Sequence, residues 1–244
     1  MSFPLICLAM VSRSMPATLA FGLCAALVFS NTPSTAIAAD NVPPEGFTAL
    51  FNGRDLTNWK GLPAGPLDNP IKRAAASKEE LAKAQAAADE SMRAHWKVVD
   101  GALVFDGKGL SLATAKDYGD FELLVDWKIL AKGDSGIYLR GSPQVQIWDP
   151  VLFNTGSGGL YNNKKNQSKP DIIADNPIGE WNTFRIKMVG DKVTVYLNGK
   201  LVTDNVVMEN YWDYANPIFA TGQIELQNHG NTLYFKNIYI KELK

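Results

Sequence analysis

The alternation of apolar and polar residues is the feature that most restricts the fold of this chain. In residues 223–229, Ile224 and Leu226 alternate with polar neighbours, so a strand here buries one face and exposes the other. Many short segments share this pattern: 96–105, 121–129, 135–140, 144–149, 181–190, 192–202 and 231–243. Short, regularly spaced strands predict an all-β fold, an antiparallel two-sheet sandwich of the jelly-roll type.

One segment, residues 62–95, departs from the strand pattern. It opens with residues that are typical of a loop, up to about residue 70. Ser77 and Glu80 then have the spacing of a capping box, and alanines fill the residues that follow. We therefore expect a surface helix at about residues 77–94, laid over the β domain as part of the insert 62–95.

Residues 1–39 have the composition of a cleaved signal peptide. They contain no Asp or Glu, one basic residue, Arg13, and a 16-residue apolar run, which is shorter than the ~20 residues that a membrane span needs. Ala36 and Ala38 satisfy the small-residue rule for cleavage. We expect cleavage near Ala38 or Ala39, a single domain at residues 40–244, and a periplasmic or secreted location.

The composition of residues 40–244 excludes several kinds of site. Both cysteines, Cys7 and Cys24, precede this region, so it contains no disulfide, catalytic thiol or thiolate metal site. It carries 23 basic and 25 acidic residues, a net charge of −2. This balance gives no reason to expect nucleic acid or a membrane surface as a partner. The sequence does not predict the oligomeric state.

The polar positions of four strands form a chemically mixed set that is typical of a carbohydrate site. Amides and carboxylates hydrogen-bond to hydroxyl groups, and Trp and Tyr pack on the apolar face of a sugar ring. If these strands adjoin, their outward side chains share one face, although alternation alone does not show that they do. The set comprises Asp126, Lys128, Tyr138, Arg140, Gln144, Gln146, Trp148, Glu225, Gln227 and His229.

A long segment without strand periodicity, residues 150–180, follows one of these strands directly. Loops of this length in a domain of this size are usually functional or disordered. Tyr161 and Asn163 suit a hydroxyl-rich ligand, so we expect the loop to contribute both residues to the site. Taken alone, Glu225 and Asp126 also fit a simpler interpretation, as surface carboxylates or as ion-pair partners of Arg140 and Lys128.

Several motifs occur in an order that resembles the 3-keto-disaccharide hydrolase domain family across residues 40–244. They are EGFTALFNGRDLTNWKG, YGDFELLVDWKI, GDSGIYLRG, QVQIWD, WNTFRIKMVGDKVTVYLNGKLV and GQIELQNHG. The resemblance implies a concanavalin A-like lectin/glucanase sandwich. It also implies an exported hydrolase of 3-keto-glycosides, common in bacteria that degrade glycans.

The chemistry that this resemblance implies needs a base, an acid and a stabiliser of negative charge. The ketone at C3 acidifies the C2 proton, and its removal expels the glycosidic oxygen from C1, after which water adds to the enone. We assign Glu225 and His229 as base and acid, in unresolved order. Arg140 or a bound cation would stabilise the enolate, and Asp126 would orient Arg140 or His229. The sugar would contact Tyr138, Gln144, Gln146, Trp148, Tyr161, Asn163, Lys128 and Gln227.

Two other functions remain compatible with the sequence. Asp126 and Glu225 could serve as the carboxylate pair of an ordinary glycosidase. The domain could also be a lectin-like module that binds carbohydrate without turnover. We expect no cofactor. A divalent cation held by Glu225, His229 and Asp126 has only weak support, because the sequence contains no established metal-binding motif.

Overall fold

Strands with one apolar face pair into two antiparallel sheets in the computed structural model, which describes residues 40–244. The expected signal peptide, residues 1–39, lies outside the described residues. The back sheet has eight strands: β1 (Thr48–Ala49), β3 (Trp96–Val99), β4 (Ala102–Asp106), β6 (Phe121–Ile129), β9 (Asn182–Val189), β10 (Lys192–Leu197), β11 (Lys200–Val207) and β13 (Thr232–Glu242). The front sheet has five: β2 (Trp59–Gly61), β5 (Leu112–Thr114), β7 (Asp134–Leu139), β8 (Ser142–Trp148) and β12 (Glu225–Leu226).

The core lies between the two sheets, where the apolar side of each alternating strand is buried. In β6 every second residue is fully buried from Phe121 to Ile129, and the side chains between them are partly exposed. Trp127 of β6 packs against Phe184 of β9, with ring centroids 5.3 Å apart. The predicted all-β, two-sheet architecture is confirmed.

The register of the front sheet arranges its outward residues in three rows. Strand pairing joins Glu225 to Tyr138, and pairs β7 with β8 so that outward residues lie side by side. The backbone N–H of Gln227 continues the ladder by donating to the carbonyl of Gly136, 2.9 Å away. We call these rows the first (His229, Asp134, Trp148), the second (Gln227, Gly136, Gln146) and the third (Glu225 and Tyr138, with Gln144 of β8 next to them where the β7–β8 register shifts).

The helical insert contains more structure than the sequence predicts. Helix α2 (Lys78–His95) begins as expected, because the hydroxyl of Ser77 accepts a hydrogen bond from the backbone of Glu80. The segment expected to be a loop, up to about residue 70, holds a 3₁₀ turn (Gly65–Asp68), and helix α1 (Pro70–Ala75) follows in residues for which no element was predicted. Asn69 caps α1 and Pro70 occupies its first turn, a start signal that the loop-like composition obscured.

Helix α2 is held closely against strand β2 of the front sheet. The carbonyl of Gly61 accepts a hydrogen bond from Gln85, and its N–H donates to Asp89. A Cβ atom at position 61 would lie 2.0 Å from the carbonyl oxygen of Ala88, so only glycine permits this approach. The insert therefore covers the β2 side of the front sheet.

The long loop covers the edge of strand β8 that does not pair with β7. Gly158 donates its N–H to Gln146, which in turn donates to Gly159, and Leu160 forms an isolated bridge with Val145. The loop begins with a short helix, α3 (Pro150–Phe153), and otherwise runs without regular structure to residue 181. Among the described residues, no helix is long and apolar enough to cross a membrane.

Candidate active site

A cavity of about 440 Å³ lies over the three rows of the front sheet. Its floor is built from the outward side chains of β7, β8 and the segment after β12. Its walls come from the 3₁₀ turn of the insert, the long loop and the segment that follows β11. The lining residues are Asp68, Asp134, Tyr138, Pro143, Gln144, Gln146, Trp148, Phe153, Tyr161, Asn162, Tyr211, Trp212, Gln227 and His229.

The first row places an imidazole beside a carboxylate. Nδ1 of His229 lies 3.5 Å from Oδ2 of Asp134, and the His229 side chain is 57% exposed. Burial raises the pKa of Asp134, and the neighbouring His229 opposes that shift when it carries charge. Asp134 lies on the Nδ1 side of the ring, so the other ring nitrogen, Nε2, can serve as a proton acceptor.

Two buried amides support this pair from below. Gln146 donates from Nε2 to Oδ1 of Asp134 over 2.8 Å, and accepts from Gln144 over 2.5 Å. The Gln144 side chain lies over Gly136, where a Cβ atom would be 2.5 Å from Oε1 of Gln144. The glycine at the centre of the three rows therefore makes room for Gln144, which donates to the amide that holds Asp134.

Tyr138 in the third row presents a hydroxyl group with its proton free to be donated. Nε2 of Gln227 donates to the Tyr138 oxygen over 3.2 Å, which fills one of its acceptor positions. Burial, followed by the negative charge of Glu225, raises the pKa of Tyr138, so the phenol stays protonated. Tyr138 can therefore donate a hydrogen bond to an oxygen in the cavity.

Glu225, beside Tyr138, is completely buried and its carboxyl group makes no hydrogen bond. Its Oε1 atom lies 3.6 Å from Nη2 of Arg73, beyond hydrogen-bond distance. Burial raises the pKa of Glu225 to about 8, and the positive charge of Arg73 only partly opposes this. Glu225 is therefore mainly a neutral acid at pH 7, and the cavity lining does not include it.

Aromatic rings line the walls of the cavity. Trp148 stacks on Phe153 with centroids 4.7 Å apart, and meets the ring of Tyr161 edge-on at 5.3 Å. Tyr211 and Trp212 contribute from the segment after β11, and also meet edge-on, at 4.9 Å. Aromatic walls above an amide-rich floor suit a ring that has apolar faces and polar edges.

The structure brings together seven of the residues predicted for the site and separates others from it. The cavity is lined by Tyr138, Gln144, Gln146, Trp148, Tyr161, Gln227 and His229, and Glu225 lies beneath one end of it.

Asp126 and Lys128 are not part of this group, and the sequence-based placement of both is wrong. They lie on β6 of the back sheet, on the opposite side of the sandwich core. Asp126 accepts hydrogen bonds from Thr183 and Asn237. Alternation correctly identified both residues as outward, but it does not specify which sheet a strand joins. Asp126 is thus too remote to orient His229 or to form a carboxylate pair with Glu225.

Arg140 is a structural residue, in contrast to the predicted role in stabilising the enolate. Its guanidinium donates to the carbonyls of Gly119, Gly190 and Phe219 and to the carboxylate of Asp120, at 2.6–3.2 Å. Arg140 lies two residues after Tyr138, so alternation predicts the same side of the sheet for both. The backbone φ of +53° at Arg140 instead turns the chain at the end of β7. The side chain is 3% exposed and lies outside the cavity lining.

The side chain of Asn163 is hydrogen-bonded within the fold, and the neighbouring residue Asn162 lines the cavity where Asn163 was predicted to do so. Nδ2 of Asn163 donates to the carbonyls of Gln167 and Val207, and its Oδ1 accepts from Glu209. Asn162 lines the cavity instead. The prediction was wrong by one residue, because a loop has no period from which to assign side-chain direction.

The suggested cation ligands are not brought together. Asp126 lies on the other sheet from Glu225 and His229, so these three residues do not form a site. Within residues 40–244, no group of three His, Cys, Asp or Glu side chains is placed to hold a metal ion.

Several lining residues were missed by the sequence interpretation. Asp134 was detectable, because it lies an even number of residues from Tyr138 and therefore on the same side of the strand, one residue before the segment interpreted as a strand. The isolated Gly136 was also a signal, since glycine within a strand often marks a close approach. For Asp68 and Trp212, which lie in segments without periodicity, the sequence contains no comparable signal.

Comparison with known proteins identifies relatives over nearly the whole described region. A family model described as 3-keto-alpha-glucoside-1,2-lyase-like domain matches residues 46–241. A protein of Bacteroides thetaiotaomicron named 3-keto-disaccharide hydrolase is 21% identical, over 83% of this chain and 80% of its own length. These matches confirm the resemblance inferred from the motifs.

Solved structures with a similar fold come from Parabacteroides distasonis. One, described as a candidate glycosyl hydrolase, has 25% sequence identity and a TM-score of 0.60, covering 84% of this chain and all of the other. A second with the same description has 24% identity and a TM-score of 0.58, covering 82% and 85%.

Replacing Arg140 by methionine should destabilise the protein. The change leaves three carbonyls and Asp120 without the guanidinium, and losing hydrogen bonds to a buried charged group typically costs roughly 1.5–3 kcal/mol. Arg185→Met is the matched control, because Arg185 pairs with Glu122 at an exposed position, where an ion pair contributes ~0–1 kcal/mol. Urea unfolding of both variants measures the difference, and equal stabilities would contradict the structural role.

Stability should fall as pH rises from 5 to 9, because of Glu225. The pKa of this carboxyl is about 8 in the folded protein and 4.5 in the free side chain. The folded state therefore binds more protons across this window, and the free energy of unfolding decreases as the group ionises. In Glu225→Gln, the decrease in the free energy of unfolding between pH 5 and 9 should be smaller than in the wild type by roughly 2–5 kcal/mol. Glu90→Gln, at an exposed position on α2, controls for the loss of a carboxyl group. Parallel pH curves for the wild type and Glu225→Gln would contradict the buried, protonated state.

Proposed function

Because the chain belongs to the 3-keto-alpha-glucoside-1,2-lyase-like domain family, we propose that it cleaves the glycosidic bond of 3-keto-disaccharides and related 3-keto-glycosides. The observation that supports this most directly is the pairing of His229 with Asp134 at one end of a cavity lined by amides and aromatic rings. The cavity thus combines a proton acceptor with groups that bind a sugar ring.

Cleavage proceeds by elimination followed by hydration. Nε2 of His229 takes the C2 proton of the 3-keto sugar, and the electron pair of the C2–H bond delocalises onto the C3 oxygen as an enolate. The enolate re-forms the ketone as the C1–O bond breaks, giving a C1=C2 double bond and a protonated leaving alcohol. Water then adds its hydroxyl at C1 and a proton at C2, so the net reaction is hydrolysis.

His229 serves as both base and acid in this scheme. Glu225 is fully buried and does not line the cavity, so it is not placed to exchange a proton with the sugar. C1 and C2 are adjacent atoms, so one imidazole can take the proton from C2 and give it to the leaving oxygen. Asp134 stabilises the imidazolium that forms in between.

Tyr138 takes the role that Arg140 cannot fill. Its proton is free for donation, and the phenol remains neutral at physiological pH. A hydrogen bond from Tyr138 to the C3 oxygen strengthens as negative charge develops there, which lowers the barrier. Glu225 pairs with Tyr138 across the strands and is mainly neutral at pH 7, so it adds little negative charge beside the phenol.

Export belongs to the same proposal. Residues 1–39 have the composition of a signal peptide, and residues 40–244 contain no cysteine, which suits a compartment where free thiols are oxidised. The proposed partner is a carbohydrate substrate in the periplasm or outside the cell.

Turnover of a 3-keto substrate in deuterated water tests the function. The purified protein should release sugar from 3-keto-trehalose and leave trehalose intact, because elimination requires the ketone. The released 3-keto sugar should carry deuterium at C2, beyond the exchange measured for product incubated without enzyme. Cleavage of trehalose itself would favour an ordinary glycosidase, and binding without turnover would favour a lectin-like module.

Substitution of His229 tests the assigned base. His229→Ala should lower kcat by at least ~100-fold, as expected for the loss of an acid–base group, and Tyr138→Phe should lower it to a similar extent. His95→Ala is the matched control, because Nδ1 of His95 also pairs with a carboxylate, that of Asp106, at 3.0 Å, outside the cavity. Near-full activity of His229→Ala would overturn the assignment.

A further inference from the structure

The cavity has one open end and one closed end. In the first row the His229 side chain is 57% exposed. In the third row Glu225 is fully buried and Gln144 is 5% exposed. The floor of the cavity therefore passes from open surface to covered interior along the strand direction.

The insert closes the end at the third row. Asp68 lines the cavity there, and a Cβ atom at Gly141 would lie 3.3 Å from Cγ of Pro70. Arg73 then reaches beyond Glu225 to Oε1 of Gln223, 3.3 Å away. Pro70 and Arg73 therefore lie across the face of the sheet past the third row, and a second cavity of about 450 Å³, lined in part by Arg73, Arg140 and Gln223, adjoins them.

Trp212 completes this closed end from the other side. Its indole N–H donates to the carbonyl of Gly141 over 2.8 Å, which fixes the ring beside Tyr138 and Asp68 in the lining. At the first row, by contrast, the flanking side chains of Phe153 and Tyr161 are 39% and 54% exposed. Tyr211, next to Trp212, is 40% exposed, so the cavity is also open to solvent above the third row. Along the strand direction, a ligand that is longer than the cavity extends past Phe153 and Tyr161.

We infer that the cavity accepts only a chain-terminal 3-keto sugar, with C4 at the closed end and the leaving group at the open end. The inference rests on the proposed function, because the orientation follows from the chemistry of His229. C2 must meet the imidazole in the first row, and C1 is its neighbour. C4 lies opposite C1 across the six-membered ring, so it points toward Asp68 and Trp212.

This orientation separates two positions of the substrate. Groups attached through C1 extend into solvent, so their size has little effect on fit. A group on O4 meets the wall formed by the insert and Trp212. The enzyme should therefore act at the ends of glycans and on small glycosides, and leave a 3-keto residue within a chain intact.

Two pairs of substrates test the inference. Methyl 3-keto-glucoside and 3-keto-trehalose differ in leaving group, and their kcat/KM values should agree within ~10-fold. Each is compared with its 4-O-methyl derivative, for which kcat/KM should fall by roughly 100-fold, near the upper range for one methyl group in a pocket. Comparable turnover of the 4-O-methyl derivatives would overturn the inference.

A variant that shortens the closing wall provides a second measurement. Trp212→Ala should raise the ratio of kcat/KM for the 4-O-methyl substrate to that for its parent by at least ~10-fold. The ratio is taken within one preparation, so partial misfolding cancels. Trp181→Ala, on the back-sheet side beside Lys128, is the matched control and should leave the ratio unchanged. An unchanged ratio in Trp212→Ala would contradict the wall.

Failure of the closed end and failure of the proposed function give different results. If the unsubstituted 3-keto substrates are not cleaved, the proposed function fails. Calorimetric binding of methyl glucoside and its 4-O-methyl derivative then still tests the closed end. Binding of methyl glucoside alone supports the inference. Equal binding of the two glucosides, or no binding of either, overturns it.

Discussion

The two-residue period of the β-strand is the constraint on which the site depends. Each strand of the front sheet commits alternate side chains to the core, and the remaining ones must face outward together. Strand register then aligns them in three rows, from His229, Asp134 and Trp148 to Glu225, Tyr138 and Gln144. A shift of one residue in any of these strands would turn its polar set into the core, so stability and the geometry of the site are fixed by the same packing.

Burial and exposure give the polar residues of these rows different chemistry. His229 stays accessible and has a carboxylate partner, which suits exchange of protons with a ligand. Glu225, only two rows away, is sealed beneath the insert, and its pKa rises to about 8. The insert that closes the cavity is thus also what changes the charge state of its deepest acid.

The sequence predicts most of the sheet framework and the residues that obey its period. The all-β architecture, helix α2 with its Ser77 cap, and seven of the twelve predicted site residues in the cavity lining follow from local pattern. Asp126 and Lys128 were misplaced because strand pairing is a long-range property that periodicity does not encode. Arg140 was misassigned because a residue with positive φ ends the alternation at that point. Asn162, Asp68 and Trp212 lie in segments whose side-chain directions are set only by tertiary contacts.

The loop that walls the cavity also protects the molecule from unwanted association. Strand β8 ends the front sheet, and an uncovered edge strand offers a row of unpaired N–H and C=O groups to other chains. Residues 158–160 satisfy part of that row through Gln146 and Val145. The loop therefore cannot be trimmed freely to widen the cavity, because shortening it would expose an edge that favours aggregation. Changes in ligand preference are easier to accommodate through single side chains on the walls than through deletions in the loop.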